Sequence, residues 1–298
     1  MNPQRGRATV LAIFGPTASG KTAVAEAVAK RVPAELISAD SAAVYRQLPI
    51  LTAAPGRSTR LVGFLDLDEE ISVGEYQRLA HDAVDAALAA GRLPVVVGGT
   101  GLYFRAALAD MAIPPPPAPG ERERWERVYD RVGGEAAQAL LTAVDPAAAE
   151  RVHPNDRRRV VRALELAHAG SSLRPAENVL WTEVTRHPTV VVGLAVPPDE
   201  LDRRIEARAR EMFTRGVQDE VRAALGRTPS STAAKVMGLR AVADLPPGEA
   251  LAELVRTNRR LARYQRKWMR RIPGIVIIDA NRPAGEVADA ILEVARPR

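Results

Sequence analysis

The stretch that decides the fold is "LAIFGPTASGKTAVAEAVAKR", residues 11–31. It contains Gly15, Pro16, Thr17, Ala18, Ser19, Gly20, Lys21 and Thr22, which spell G-x-x-x-x-G-K-[ST]. The apolar run Val10 to Phe14 leads into this loop and a helical pattern leaves it, the context a phosphate-binding loop needs. Glycines let successive backbone N–H groups converge on phosphate oxygens, and the helix behind adds its positive end. Lys21 is placed to reach a terminal phosphate, and the Thr22 hydroxyl to hold Mg²⁺.

Working outward, apolar strands alternate with amphipathic helices. "AELISADS" (34–41) reads as a second strand ending at Asp40, and residues 43–70 lack a clear pattern. A helix follows, with Ser72 as N-cap, Glu75 as its capping-box partner and Gly91 at its end. "RLPVVVGGTGLYFRAAL" (92–108) is strand, glycine turn and helix. The alternation predicts an α/β fold: a doubly wound parallel sheet of the P-loop NTPase-like kind.

The pattern breaks at "MAIPPPPAPGERER" (111–124), where the run Pro114–Pro117 forms a stiff linker into a charged helical stretch. "TVVVGLAV" (189–196) returns to strand character. This divides the chain into a core of residues 1–115 and 188–298 and a helical insertion domain of 116–187. Within the core's second part, a helix carries Leu201, Ile205, Met212 and Phe213 on one side and stops at Gly216. An arginine-rich helix over 249–271 precedes a last strand, "GIVIIDA".

Composition bounds the chemistry. Of 298 residues, 46% are hydrophobic, which suffices for a sizeable core. No apolar run approaches a membrane span, and the polar start "MNPQRGR" predicts no signal peptide, so a cytoplasmic location is expected. The chain has no cysteine, which excludes disulfides, iron–sulfur clusters and thiolate zinc sites. A formal charge of +6 suits a polyanionic partner. Most of the positive charge is arginine, yet the phosphate loop has Lys21, whose compact ammonium suits that position.

Ligands of open α/β sheets bind outside the carboxyl ends of the strands. Asp40, Thr100 and the phosphate loop all follow strands in this way and so are expected to share one crevice. By residue type alone Asp40 suits a Mg²⁺ ligand, a helix cap or a proton acceptor. An aspartate and a threonine there suit proton removal and oxygen binding better than hydrolysis. Asp279, at the end of the last strand, reads as a strand-end cap. In the insertion, Asn155 and Asp156 cap a helix that opens with Arg157, Arg158 and Arg159 and continues to Arg162. Those arginines fit either a phosphate-binding face or a salt-bridged surface. Arg204 and Arg208, four apart on one helix, can reach a phosphate or pair with Glu200 and Glu211.

Taken together, "GPTASGKT", "ELISADS", "VYR", "SVGEYQR", "GRLPVVVGGTGLYFRAAL", "VDPAAAERVHPNDRRRVVRALE" and "RYQRKWMRR" resemble the tRNA dimethylallyltransferases, also called tRNA isopentenyltransferases. The segments run in that family's order and span most of the chain.

The resemblance implies that the loop, with Arg208, holds the diphosphate of dimethylallyl diphosphate rather than ATP, with Mg²⁺ on Thr22. It implies an acceptor at N6 of adenosine 37 in the tRNA anticodon stem-loop, in tRNAs that read codons beginning with U. Asp40 would be the general base, and Thr100 would bond near the reacting oxygen or amine. Asp40, Ser41, Ala42, Ala43, Asn155, Asp156, Arg157, Arg158 and Arg159 would bind tRNA. A monomer suffices.

Departures cluster on the acceptor rim. Ala43 stands where glutamine is common, Pro49 for aspartate, Ala54 for lysine, Thr59-Arg60 for a His-His pair, and Tyr264 where arginine is common. Two alternatives remain at this point: prenyl transfer to free AMP, ADP or ATP, and a small-molecule kinase.

Overall fold

The computed structural model describes residues 9–56, 58–114, 116–173 and 179–296. The N-terminal "MNPQRGR", Pro115 of the proline run and residues 174–178 of the loop after the insertion lie outside these.

Five strands, β1 (Val10–Phe14), β2 (Ala34–Ala39), β3 (Leu93–Gly98), β4 (Thr189–Ala195) and β5 (Val276–Asp279), form one parallel sheet in the order β2-β3-β1-β4-β5. Every residue of β1 is buried. That is expected of a central parallel strand with helices on both faces, and it explains why VLAIF is continuously apolar rather than alternating.

The chain moves outward from β1 to β2, then back through β3 and across β1 to β4. Right-handed crossovers therefore put α1 (Lys21–Ala29) on one face and α2 (Val73–Ala89) and α3 (Gly101–Leu108) on the other. The capping box at Ser72 is formed: Glu75 N–H donates to the Ser72 hydroxyl, and Ser72 N–H to the Glu75 carboxylate at 2.8 Å.

In the insertion, α4 (Glu121–Val132), α5 (Gly134–Val144), the short α6 (Pro146–Ala149) and α7 (Arg157–His168) pack around Leu141, Val160, Ala163 and Leu164. In the rest of the core follow α8 (Pro198–Thr214), α9 (Val217–Ala224), α10 (Leu239–Asp244), α11 (Pro247–Met269) and α12 (Ala284–Ala295). Helix α12 packs on α1, and α11 on α8, α10 and α3.

The chain divides into two compact units, Met111–Val179 and the remainder. Residues 180–187, which the composition break assigned to the insertion, belong with the sheet. Trp181 stacks on Trp268 with ring centroids 4.7 Å apart, Arg105 donates to the Val184 carbonyl, and Arg186 pairs with Asp85 at 3.0 Å.

Candidate active site

The sheet register levels the carboxyl ends of three neighbouring strands. Phe14 of β1 and Ala39 of β2 are both partners of Gly98 in β3. The next residues along each strand are Gly15, Asp40 and Gly99, so the phosphate loop, the aspartate and the Thr100 turn open on one edge. With strands about 4.8 Å apart, Asp40 and the loop lie roughly 10 Å from one another across that edge.

The loop adopts a phosphate-cradle conformation. Ala18 (φ 61) and Gly20 (φ 87) are both left-handed, which turns successive N–H groups to one side. A non-glycine residue in that region is strained and is kept where the surroundings demand it. Gly20 is the N-cap of α1 and offers no side chain, so the first N–H groups of the helix stay open to a ligand. The Ser19 hydroxyl is buried and has no hydrogen-bond partner among the described residues. A buried hydroxyl in the loop without a partner fits a diphosphate oxygen.

Lys21 Nζ folds back onto the Pro16 carbonyl at 2.7 Å. Desolvation pulls its pKa down to about 8; the Asp40 charge opposes this and Arg208 adds to it. Asp40 and Arg208 are thus both close enough to Lys21 to act on its charge. Arg208 Nη1 donates to the Thr17 hydroxyl at 3.2 Å, and burial depresses its pKa. Two cations beside the cradle define a site for a polyanion.

Sequence spacing left Arg204 and Arg208 equivalent. Arg204 pairs with Glu200 at 2.7 Å and with Asn281, whereas Arg208, one turn on, reaches the loop. Asp279 accepts from Asn281 N–H at 2.9 Å, as a strand-end cap does.

On the acceptor side, Asp40 Oδ1 accepts from Ala42 N–H at 2.9 Å, an Asx turn that orients the carboxylate. Ser41 N–H and hydroxyl both lie 3.4 Å from the Thr100 hydroxyl and tie the two strand ends together. A tyrosine layer lines this side: Tyr76 and Tyr103 rings are 4.2 Å apart, and Tyr76 donates to the Ser38 carbonyl. Burial, with Tyr45 and Asp40 nearby, pushes Tyr103 up to about 12, so it stays a neutral donor.

Two of the residues expected at the acceptor side are engaged within the protein. Ala43 is 2% exposed and its carbonyl accepts from Gly63 N–H, so its methyl packs in the core and not in the crevice. Arg157 is engaged by Asp130 through two bonds of 2.8 Å and by Glu126, beside the Tyr129 ring, so its fork is occupied within the insertion. Asp156 caps α7 through Arg159 N–H, and Asn155 is exposed beside it. Arg158 and Arg159 are exposed and have no ion-pair partner among the described residues. Arg162 and Arg122 enclose the buried Glu165 carboxylate at 2.9 Å each.

Of the departing rim positions, Thr59 is buried. Arg60 bridges beside Ile37 in the middle of β2, and Pro49 and Ala54 close a turn through the Ala54 N–H to Pro49 carbonyl bond.

Among the described residues no group of three or more His, Cys, Asp or Glu side chains is placed to hold a metal. The Thr22 hydroxyl is exposed at the start of α1, beside the cradle. Mg²⁺ is typically held by one or two protein oxygens plus substrate phosphates, so this donor set fits a cation that arrives with a diphosphate.

Sequence reasoning missed Gln265 and Trp268 of α11. Gln265 Oε1 accepts from Thr17 N–H at 2.7 Å, and a Cβ on Gly101 would land 2.0 Å from the Trp268 ring. The signal was present: Leu254, Ala262, Gln265 and Met269 share the buried stripe of α11, and a glutamine there needs a partner.

This fold and crevice define a phosphate-loop α/β protein whose polyanion site opens beside an aspartate–threonine pair. The IPP transferase family model matches residues 43–272, and the isopentenyl transferase model matches residues 8–62. The chain belongs to the IPP transferase family.

It is similar to a tRNA dimethylallyltransferase of Anaeromyxobacter dehalogenans, 38% identical, covering 97% of this chain and 98% of that one. One from Thermobifida fusca is 38% identical and covers 90% of this chain and 88% of its own. The crystal structure of the full-length tRNA isopentenylpyrophosphate transferase of Bacillus halodurans superposes with a TM-score of 0.69 at 29% identity, covering 96% of this chain and 95% of that one. A eukaryotic dimethylallyltransferase crystallised acting on tRNA shares the fold, with a TM-score of 0.74 at 21% identity, over 97% of this chain and 80% of that one.

Proposed function

We infer that this chain is a tRNA dimethylallyltransferase. It transfers the dimethylallyl group of dimethylallyl diphosphate to N6 of adenosine 37 in tRNAs reading codons that begin with U, and releases diphosphate. The observation that carries the inference is the common edge on which Lys21, Arg208, Asp40 and Thr100 meet.

The reaction breaks the allylic carbon–oxygen bond and forms a carbon–nitrogen bond, and the amine loses one proton. Charge builds on the leaving diphosphate, where the loop amides, the Ser19 hydroxyl, Lys21 and Arg208 would hold it. Mg²⁺ bound by Thr22 and the diphosphate would supply further charge neutralisation. An exocyclic adenine amine is a weak nucleophile, and Asp40 Oδ2, left over from the Asx turn, would take its proton. The Thr100 hydroxyl, steadied by Ser41, would orient the amine. The adenine has to leave its stack to reach this edge.

The compact helical unit Met111–Val179 is the proposed tRNA-binding domain, with Asn155, Arg158 and Arg159 gripping the anticodon stem-loop. All named groups come from one chain, so a monomer suffices. No helix among the described residues is long and apolar enough to cross a membrane, which fits a cytoplasmic enzyme.

The test supplies labelled dimethylallyl diphosphate and Mg²⁺ with either unmodified tRNA or free AMP. Label in tRNA alone supports the inference; label in AMP moves the chain to the nucleotide branch. ATP turnover without prenyl transfer would indicate a kinase.

A further inference from the structure

We propose that Gln265 is a positioning residue that sets the spacing between the diphosphate loop and the turn carrying Thr100. The proposal rests on the prenyl-transfer reading above.

Gln265 is 5% exposed and lies on the buried stripe of α11, far from both elements in sequence. Its Oε1 accepts the Thr17 N–H at 2.7 Å, across 248 residues of chain. Its Nε2 lies against the glycine turn: a Cβ built on Gly99 would sit 2.4 Å from that nitrogen. The same Cβ would sit 2.8 Å from the Gly15 carbonyl oxygen, so Gly99, Gly15 and the Gln265 amide converge at one point. One planar amide therefore touches the donor loop on one side and the residue before Thr100 on the other. A turn further on, Trp268 packs against Gly101, immediately after Thr100.

Two physical arguments give this contact a catalytic consequence. Thr17 is 8% exposed, and its N–H would be an orphan donor without Gln265. The neighbouring Ala18 is held in a strained left-handed conformation, which needs its surroundings to over-determine it. The Thr17 hydroxyl is also the partner of Arg208. A shift of Thr17 thus moves the cradle and the second cation together, relative to Thr100. In-line transfer depends on that distance, and a misplacement of about 1 Å costs on the order of a hundredfold in rate.

The test compares Gln265→Met and Gln265→Glu with the wild-type full chain. The readouts are kcat and donor KM with tRNA, Kd for inorganic pyrophosphate with Mg²⁺ by calorimetry, and Tm. Gln265→Met keeps the volume and removes the acceptor. It is expected to lower kcat roughly 10- to 100-fold and to weaken pyrophosphate binding several-fold. Gln265→Glu still accepts the Thr17 N–H but loses the amide donor on the glycine-turn side and adds a negative charge, so it is expected to lower kcat as well and to raise donor KM and pyrophosphate Kd. If Gln265→Met does not fold, Gln265→Asn, one methylene too short to span, carries the same expectation.

A folded Gln265→Met or Gln265→Asn with wild-type kcat and Kd, its change confined to Tm, overturns the proposal. So does a Gln265→Glu with wild-type kcat, donor KM and pyrophosphate Kd. Failure of the wild type to label tRNA is a failure of the functional reading instead, and the pyrophosphate measurement still decides the role of Gln265.

Discussion

Arg208 of α8 donates to the Thr17 hydroxyl at 3.2 Å, and its Nη2 reaches the Thr52 carbonyl at 3.4 Å. One guanidinium therefore joins the donor loop to the segment that follows β2. Arg208→Ala removes a cation from the diphosphate site and this link together. Donor kcat/KM is expected to fall by roughly 100-fold or more, as for a lost charge-stabilising donor. Arg204→Ala, which breaks the Glu200 pair and the contacts to Asn281 and the Ala280 carbonyl but none to the donor loop, should leave it within about twofold. Steady-state kinetics with dimethylallyl diphosphate as the varied substrate checks both.

Asp40→Asn keeps the Asx turn and removes the proton acceptor. Turnover should drop by about two to four orders of magnitude while pyrophosphate affinity changes little. Wild-type turnover in this variant would remove Asp40 from the mechanism.

Lys21 gives the pH dependence a sign. Its ammonium is the form that binds diphosphate, and its pKa is near 8 in the folded protein without ligand. Donor kcat/KM should therefore fall above about pH 8, approaching tenfold per pH unit. Stability moves the other way. The unfolded chain keeps this proton up to the ordinary lysine value of 10.5, so between about 8 and 10.5 the unfolded state binds more protons and Lys21 adds stability as pH rises. Lys21→Met should flatten this contribution and abolish donor binding, read by pH-dependent Tm and calorimetry.

Gly101→Ala would drive a methyl group to within 2.0 Å of the Trp268 ring, a large and packed neighbour. The expected result is a displaced Thr100 turn, at least a tenfold loss of kcat and a lowered Tm. Trp268→Leu combined with Gly101→Ala should recover part of the Tm, which a double-mutant cycle measures.

In the insertion, Arg158→Ala with Arg159→Ala should weaken tRNA binding. The slope of log affinity against log salt should become shallower by about one and a half to two if each arginine meets one phosphate. Arg157→Ala is expected to act through stability instead, because its partners are Asp130 and Glu126. An unchanged salt slope in the double variant would make that face a plain surface.

How much of this was legible in the sequence follows from which interactions are local. The phosphate loop, the capping box at Ser72 and all five strands were readable because their signals sit within a few consecutive residues. The edge they share was readable as well, since strand ends in a parallel sheet face the same way. The fates of Arg204 and Arg208 were not, because the two sit on the same helix face and only tertiary placement separates them. Gln265 was hidden because its partner lies 248 residues away. The burial of Ala43 was not legible because the residues after β2 turn inward by way of the Gly63 bond, which no local pattern encodes. The helices α9, α10 and α12 went unremarked, although α9 and α12 carry apolar residues at helical spacing (Val217, Val221, Ala224 and Val287, Ala288, Ile291).

The central claim is prenyl transfer to one nucleoside of tRNA, and the most direct measurement is the position and chemistry of the product. Unmodified tRNA bearing adenosine at positions 36 and 37 would be incubated with the protein, dimethylallyl diphosphate and Mg²⁺, then digested and mapped by mass spectrometry. The account predicts N6-dimethylallyl adenosine at position 37 alone, one diphosphate released per group transferred, and no product when adenosine 37 is replaced by guanosine. A modified free nucleotide with unmodified tRNA, or consumption of ATP without prenyl transfer, would contradict it.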